Sequence, residues 1–181
     1  MPRRCRSGGQ VNPVLKWMLI TFGALAGIVA LMAIVGAFLP KKHTASRSIT
    51  LNASPDSVFA IIADVERYAE WRGDVKEVTL LATSDGTTRF REMGKDGAVT
   101  YRVMERVPPL RYVVRIDDAT LPYGGSWIST LRPEGSGTVL TITEDGEVYN
   151  PIFRFLSRTV FSPSATIEKY QASLRDRVES R

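Results

Sequence analysis

Two reactive residue types are almost missing from the chain of 181 residues, which contains one cysteine, Cys5, and one histidine, His43. Cys5 lies in the polar N-terminal tail, so no disulfide can form within one chain. His43 lies at the edge of a long apolar run, and the sequence that follows contains neither residue type. The remainder of the chain is therefore predicted to lack Ser-His-Asp and Cys-His catalysis and the usual zinc ligand sets. No metal and no cofactor is expected.

Acidic residues are absent from the first 47 positions, which hold seven of the 24 lysines and arginines. The rest of the chain holds the other 17 basic residues and all 19 acidic ones, so its formal charge is −2. The net charge of +5 for the whole chain thus comes from the N-terminal segment. Proteins that bind phosphate backbones need a basic surface. Nucleic acid is therefore not a predicted partner.

One long hydrophobic run is present, at residues 17–39. These 23 residues carry no formal charge, and eleven of them are Leu, Ile, Val or Phe. A helix of this length would measure about 34 Å, enough to cross a hydrocarbon core of about 30 Å. Lysines flank the run on both sides, where the lipid headgroups would lie. The sequence predicts a basic tail at 1–16, a single transmembrane helix at 17–39 and one soluble domain at 44–181.

A cleaved signal peptide is the alternative to a membrane span, with small residues at 35–37 as its cleavage site. Signal peptides usually have an apolar run of 7–15 residues, which is shorter than this one. Four basic residues precede the run and three follow it, which favours an extracytoplasmic domain on the cell membrane. Gly23 and Gly27 form a GxxxG pattern that would allow a weak homodimer, although small residues are common in membrane helices without such contacts.

Alternating polar and apolar residues predict a first strand at 46–51. A helix is predicted from Pro55, because Ser54 can cap its N-terminus. Asp64 is predicted to cap a second short helix that ends at Tyr68. Six more strands follow, at 75–82, 87–93, 99–107, 111–116, 126–131 and 138–148.

The last part of the chain predicts a long helix that opens at Asn150-Pro151 and is interrupted at Ser162-Pro163. Its apolar residues recur at helical spacing; they are Ile167, Tyr170, Leu174 and Val178. A seven-stranded sheet must cover its apolar face, and this helix is long enough to do so. We therefore expect an α+β fold in which a curved antiparallel sheet surrounds the C-terminal helix. Space that the helix does not fill would form an apolar cavity.

Three stretches resemble the START-like, or SRPBCC, superfamily, whose bacterial members are often labelled polyketide cyclase/dehydrase and lipid transport proteins. They are Ile49–Phe59, Tyr68–Trp71 leading into Asp74–Val78, and Gly137–Glu144 ahead of Phe153–Leu156. The resemblance covers residues 44–180 and implies the helix-grip fold, with a ligand cavity and few invariant catalytic residues. The superfamily includes lipid carriers, cyclases and hormone receptors. A membrane anchor departs from its mostly soluble members and argues against a diffusing carrier.

The Asp96-Gly97 pair predicts a two-residue hairpin loop. That register pairs Lys95 with Ala98, Glu92 with Tyr101, and Phe90 with Val103. Alternation along the strands then gives the predicted cavity residues: Phe90, Glu92, Tyr101, Val103, Glu105, Tyr112, Val114, Trp127, Leu131, Leu140 and Ile142. Apolar residues at 152–156 and 160–161 would form a lid over this cavity or, alternatively, part of the core.

Glu92, Tyr101 and Glu105 are the polar groups of the predicted cavity. Buried carboxylates can have raised pKa values and can act as acids or bases. Alternatively, each carboxylate meets an arginine or a tyrosine hydroxyl, or lies at the wet mouth of the cavity.

Three functions fit these observations. The first is a membrane-tethered domain that binds a lipid or another hydrophobic small molecule without catalysis. The second is a cyclase- or dehydratase-type enzyme that transfers protons through Glu92, Glu105 or Tyr101. The third is a non-catalytic assembly or interaction protein whose cavity is incidental.

Overall fold

The computed structural model describes residues 12–95, 97–159 and 164–180. The helices are α1 (Pro13–Phe38), α2 (Pro55–Ala63), α3 (Tyr68–Trp71), α4 (Pro151–Thr159) and α5 (Ala165–Glu179), and a short 3-10 turn spans Val65–Arg67. The strands are β1 (Lys42–Leu51), β2 (Val75–Leu81), β3 (Arg89–Gly94), β4 (Gly97–Val107), β5 (Arg111–Ile116), β6 (Tyr123–Glu134) and β7 (Gly137–Val148). The predicted interruption at Ser162-Pro163 lies outside the described residues.

Within the described residues, seven strands form one sheet in the order β1-β7-β6-β5-β4-β3-β2, and every neighbouring pair is antiparallel. The strands β1 and β2 follow each other in sequence but form opposite edges, and α2 and α3 connect them. The helix α5 packs on the sheet with Ile167 and Leu174 fully buried. The predicted curved sheet around a C-terminal helix, the helix-grip fold, is confirmed.

The helix α2 begins as its sequence predicts. The Ser54 hydroxyl accepts a hydrogen bond from the Ser57 backbone N–H at 3.3 Å, and Pro55 follows at the first helical position. Val58 and Ile62 are fully buried beneath this helix. The predicted role of Asp64 is corrected, because its side chain makes no capping hydrogen bond and a 3-10 turn follows it.

The two ends of the sheet differ in how they are filled. At one end, which we call the closed end, α2 packs across the strands and core residues fill the interior. Residues with at most 4% exposure there include Leu51, Val58, Ile62, Leu131, Leu140, Ile142 and Leu174. The other end, which we call the open end, is formed by the start of β1, the end of β7, the start of β6 and the β3–β4 hairpin.

The β3–β4 hairpin has a different register from the predicted one. Gly94 pairs with Gly97, whereas the predicted register pairs Lys95 with Ala98; Asp96 lies outside the described residues. Phe90 consequently pairs with Tyr101, and Glu92 pairs with Val99. Gly97 has a φ of +117°, which favours glycine, and a Cβ on Gly94 would lie 2.9 Å from the Asp74 carbonyl oxygen. The shift is two residues, so each side chain keeps its predicted face.

The helix α1 extends away from the sheet. It has 26 residues, and its most apolar window has a mean hydropathy of 2.5 and is 0% buried, so it meets the length and composition requirements of a membrane span. A signal sequence near an N-terminus meets the same requirements. No atom lies within 4 Å of the Cβ positions that Gly23 and Gly27 would have, so the GxxxG face is open in the described chain.

Candidate ligand cavity

A cavity of about 870 Å³ lies between the open end of the sheet and α5. Ligand pockets commonly measure roughly 300–1,000 Å³, so this volume suits a drug-sized or lipid-sized molecule. Its wall comes from the open-end halves of β3 to β7, from α4, and from the first turns of α5. The residues of α2 fill the closed end, whereas at the open end the described parts of α4 and α5 line the space without filling it.

Aromatic rings form much of the wall. Phe90 and Tyr101 stack with ring centroids 5.4 Å apart, and Trp127 meets Tyr170 edge-to-face at 5.6 Å. Such rings offer large apolar surfaces of fixed shape. Six predicted cavity residues line the wall: Phe90, Glu92, Tyr101, Tyr112, Val114 and Trp127.

The other five predicted residues lie elsewhere. Val103, Leu131, Leu140 and Ile142 face inward but belong to the packed core toward the closed end. Glu105 leaves the inward face because the β4–β5 register shifts between Val103 and Glu105. Its carboxylate accepts a hydrogen bond from Arg111 Nε at 2.8 Å, and its side chain is 41% exposed. Glu105 is therefore a surface residue and cannot act in the cavity.

A buried ionic network lies in the cavity wall around Arg72. Its guanidinium donates to Glu92 Oε1 and to Asp74 Oδ2, both at 2.8 Å. The same group lies 5.1 Å from the ring centroid of Tyr68 and 5.3 Å from that of Tyr170. The open alternative for Glu92, that it meets an arginine, is what the structure shows.

The two carboxylates keep Arg72, the basic member of this network, in its charged form. Burial opposes the charge on Arg72, but Glu92 and Asp74 outweigh burial and raise the pKa of Arg72 above its ordinary value. Burial raises the pKa of Glu92, and Arg72 only partly opposes that shift. Burial would raise the pKa of Asp74, but the hydrogen bond from Arg72, the charge of Arg72 and a backbone hydrogen bond together outweigh burial and lower it. Glu92 is thus the member of the network that takes up a proton first as the pH falls.

A second pair of ionisable side chains lines the cavity, and it was not among the predicted cavity residues. His43 lies in β1, and its Nε2 is 3.4 Å from Glu144 Oε1 on the neighbouring strand β7. Burial raises the pKa of Glu144, while His43 and the Trp127 indole oppose the shift. The predicted domain began at residue 44 and contained no histidine, whereas β1 begins at Lys42 and brings His43 into the sheet. His43 and Ala45 lie two residues apart and so share one face of β1. This spacing was the sequence pattern that could have placed His43 on the inward face.

Residues 42–178 match the family model described as polyketide cyclase/dehydrase and lipid transport, so the chain belongs to this family. Several solved structures share its fold. A START superfamily protein from Mycobacterium smegmatis is 21% identical, with a TM-score of 0.60 over 76% of this chain and 98% of that one. A Thermus thermophilus protein is 23% identical, with a TM-score of 0.61 over 76% and 98% of the two chains.

An aromatase/cyclase named Zhui, from a Streptomyces species, is 19% identical, with a TM-score of 0.57 over 77% of this chain and 95% of that one. No curated protein matches the chain. At these identities the solved structures establish the fold, while the ligand has to be argued from the cavity itself.

Proposed function

We propose that this protein is a membrane-tethered binding domain that holds a hydrophobic small molecule or lipid in the open-end cavity without catalysis. The observation that carries the proposal is the cavity of about 870 Å³ with a wall of aromatic and aliphatic side chains. A cavity of this kind in a domain of 138 residues exposes apolar surface to water when empty. A bound apolar molecule would remove that surface from water and stabilise the fold.

The charged groups in the wall support binding rather than chemistry. Arg72 already uses two guanidinium nitrogens on Glu92 and Asp74, so its charge is engaged within the network. Phe90 and Tyr101 lie beside the network and present ring surface to the cavity. Few polar groups of the wall therefore need a hydrogen-bond partner from the ligand, and a mostly apolar ligand suits this surface.

The membrane tether is the second part of the proposal. The helix α1 is long and apolar enough to span a bilayer, and lysines lie at both of its ends. The balance of basic residues supports an extracytoplasmic domain. A protease added outside intact cells should then digest the domain, whereas a protected domain would contradict this orientation.

A cyclase- or dehydratase-type enzyme is the second candidate, and one observation favours it. Glu92 and Glu144 both line the cavity, and burial raises the pKa of each. A carboxylic acid of this kind can donate a proton to a bound substrate. Turnover that disappears in both Glu92→Gln and Glu144→Gln, with binding unchanged, would favour the enzyme over the binding domain.

Binding is tested with a fluorescent polyene fatty acid and the full chain in detergent. Val114→Phe adds bulk to the cavity wall, whereas Met104→Phe adds bulk at a position that is 55% exposed and does not line the cavity. We expect saturable binding by the wild type and by Met104→Phe, and at least several-fold weaker binding by Val114→Phe. Equal affinity in all three chains would contradict the proposed site.

A further inference from the structure

The mouth of the cavity lies at the junction between the domain and α1. The helix ends at Phe38 and β1 begins at Lys42, so three residues connect them. Pro40 and Lys41 from this connection line the cavity, together with Phe153 and Arg158 of α4. The connection is therefore part of the rim of the cavity rather than a separate linker.

A buried arginine holds α4 to the end of α1. Arg154 is 6% exposed, and its Nη1 donates to the backbone oxygens of Gly36 at 3.2 Å and Leu39 at 3.1 Å. Its Nη2 donates to the Tyr149 oxygen at 2.9 Å. The last carbonyls of a helix lack partners within the helix, and a cation there is favoured by the helix dipole. Arg154 thus acts as a C-terminal cap for α1 that is supplied by the domain.

Close packing reinforces this contact. Gly36 is buried, and a Cβ at this position would collide with the carbonyl oxygen of Pro151 at the start of α4. Arg158, one turn further along α4, donates to the Lys42 oxygen at 3.2 Å. These contacts fix the direction in which α1 leaves the domain, because they hold its last turn and both sides of the connection.

Exposed aromatic side chains surround the same junction. Phe38 is 87% exposed, Phe153 is 50%, Tyr149 is 45% and Tyr123 is 39%. Aromatic residues favour the interface between lipid and water, and lysines next to an apolar helix lie among the headgroups. The open end therefore has the composition of a surface that meets a bilayer.

We propose that the Arg154 contact holds the cavity mouth against the bilayer that contains α1, so that the cavity exchanges its ligand directly with that membrane. The ligand is then a lipid of the host bilayer, or another membrane-dissolved amphiphile, which enters without crossing water. This inference rests on the proposed membrane span and on the proposed ligand cavity. It adds the source of the ligand and the orientation of the site.

The orientation is tested with spin labels on the full chain in lipid nanodiscs. In a Cys5→Ser background, one nitroxide is attached at Tyr123→Cys on the open end. A second is attached at Leu110→Cys, which lies between β4 and β5 at the closed end and is 52% exposed. We expect the label at 123 to collide several-fold more with membrane-dissolved oxygen, relative to an aqueous nickel chelate, than the label at 110. Equal collision ratios at the two positions would overturn the inference, whatever the cavity binds.

Exchange is tested in a Trp17→Phe background, since Trp17 lies in α1 and would respond to probe in the bilayer. Energy transfer from Trp71 and Trp127 to a fluorescent polyene fatty acid then reports loading of the cavity. The probe is supplied either in the nanodisc that holds the chain or from water to the chain in detergent. Arg154 also lines the cavity, so the readout is the ratio of the two deliveries. Arg154→Gln should slow loading from the nanodisc several-fold more than it changes loading from water, while Arg154→Lys should keep part of the nanodisc rate. Unchanged nanodisc loading in Arg154→Gln would overturn the inference. A wild type that binds no probe from either source would overturn the proposed function instead, with the spin-label result still deciding the orientation.

Discussion

The closed and open ends of the sheet are built from the same strands, yet they have different properties. At the closed end, Leu140 of β7 and Leu174 of α5 are fully buried in a packed core under α2. At the open end of the same elements, Glu144 and Tyr170 line a cavity of about 870 Å³. At the closed end α2 and α5 cover the sheet with a packed core, and at the open end of the same strands a cavity remains.

Polar groups follow the same division. At the closed end, Glu105 and Arg111 form an ion pair on the surface, where both side chains are about two-fifths exposed, at 41% and 39%. At the open end, Arg72 and Glu92 form an ion pair inside, at 12% and 10% exposure. Substitutions in the two ion pairs should therefore change the stability of the fold by very different amounts. The same holds for substitutions in the packed core and in the cavity wall.

The largest expected effect comes from Arg72→Met. This change leaves Glu92 buried beside Asp74 without a cation, and breaking a buried pair costs about 3–5 kcal/mol. Thermal unfolding of the full chain in detergent, followed by tryptophan fluorescence, measures the loss. Adding Glu92→Gln in the same chain should restore part of the stability. A single variant as stable as the wild type would show that the network is not a structural element of the open end.

The next effect comes from Leu140→Ala at the closed end. Removing a fully buried leucine side chain costs about 2–5 kcal/mol. The matched change at the open end, Val114→Ala, enlarges a space that is already open and should cost about 1 kcal/mol or less. The same unfolding experiment compares the two variants. Equal losses of stability would mean that the two ends are packed alike, which would contradict the difference between a packed closed end and a hollow open end.

A smaller effect is the pH dependence contributed by Glu92. Its pKa is raised in the folded chain, so the folded state binds the proton more tightly than the unfolded state does. The stability from this group is complete below its ordinary pKa and is lost as the pH rises through the folded pKa. Glu92→Gln removes that loss, so the melting temperature of the variant should rise relative to that of the wild type as the pH increases above about 4.5. A constant difference across this range would show that Glu92 has no raised pKa.

The smallest effect is expected for Glu105→Gln. An exposed ion pair contributes roughly 0–1 kcal/mol, so the variant should unfold close to the wild-type temperature. Fatty acid binding should also be unchanged, since Glu105 does not line the cavity. Glu92→Gln provides the matched substitution inside the cavity. Weaker binding in Glu105→Gln alone would contradict the placement of this side chain on the surface.

Alternation along the strands predicted the face of the sheet for the inward residues other than Glu105, which the shift in the β4–β5 register places on the surface. It could not predict how far along the strand the core stops and the cavity begins. Leu131 and Trp127 illustrate this, because both face inward on β6, but only Trp127 lines the cavity. The boundary depends on where α2 crosses the sheet, and this is a tertiary contact that no local pattern records. The hairpin register was wrong by two residues, which preserved the faces.

Other site residues lacked any periodic signal. Arg72 follows a helix of four residues, so neither helical nor strand spacing pointed it toward Glu92. The signal that could have found it was indirect, since an inward carboxylate such as Glu92 needs a cation nearby. Arg154 was likewise hidden, because the segment around it reads as an apolar lid or core. Its contacts are with backbone oxygens more than a hundred residues earlier in the chain.

Native mass spectrometry of the full chain, released gently from lipid nanodiscs, tests most directly whether the open-end cavity holds a hydrophobic molecule. We expect one bound lipid or other apolar molecule per wild-type chain. That molecule should be absent from Val114→Phe and present in Met104→Phe, and its fragmentation would identify it. A wild-type chain released at its bare mass, or a bound molecule retained equally by Val114→Phe, would contradict the binding of a hydrophobic molecule in the open-end cavity.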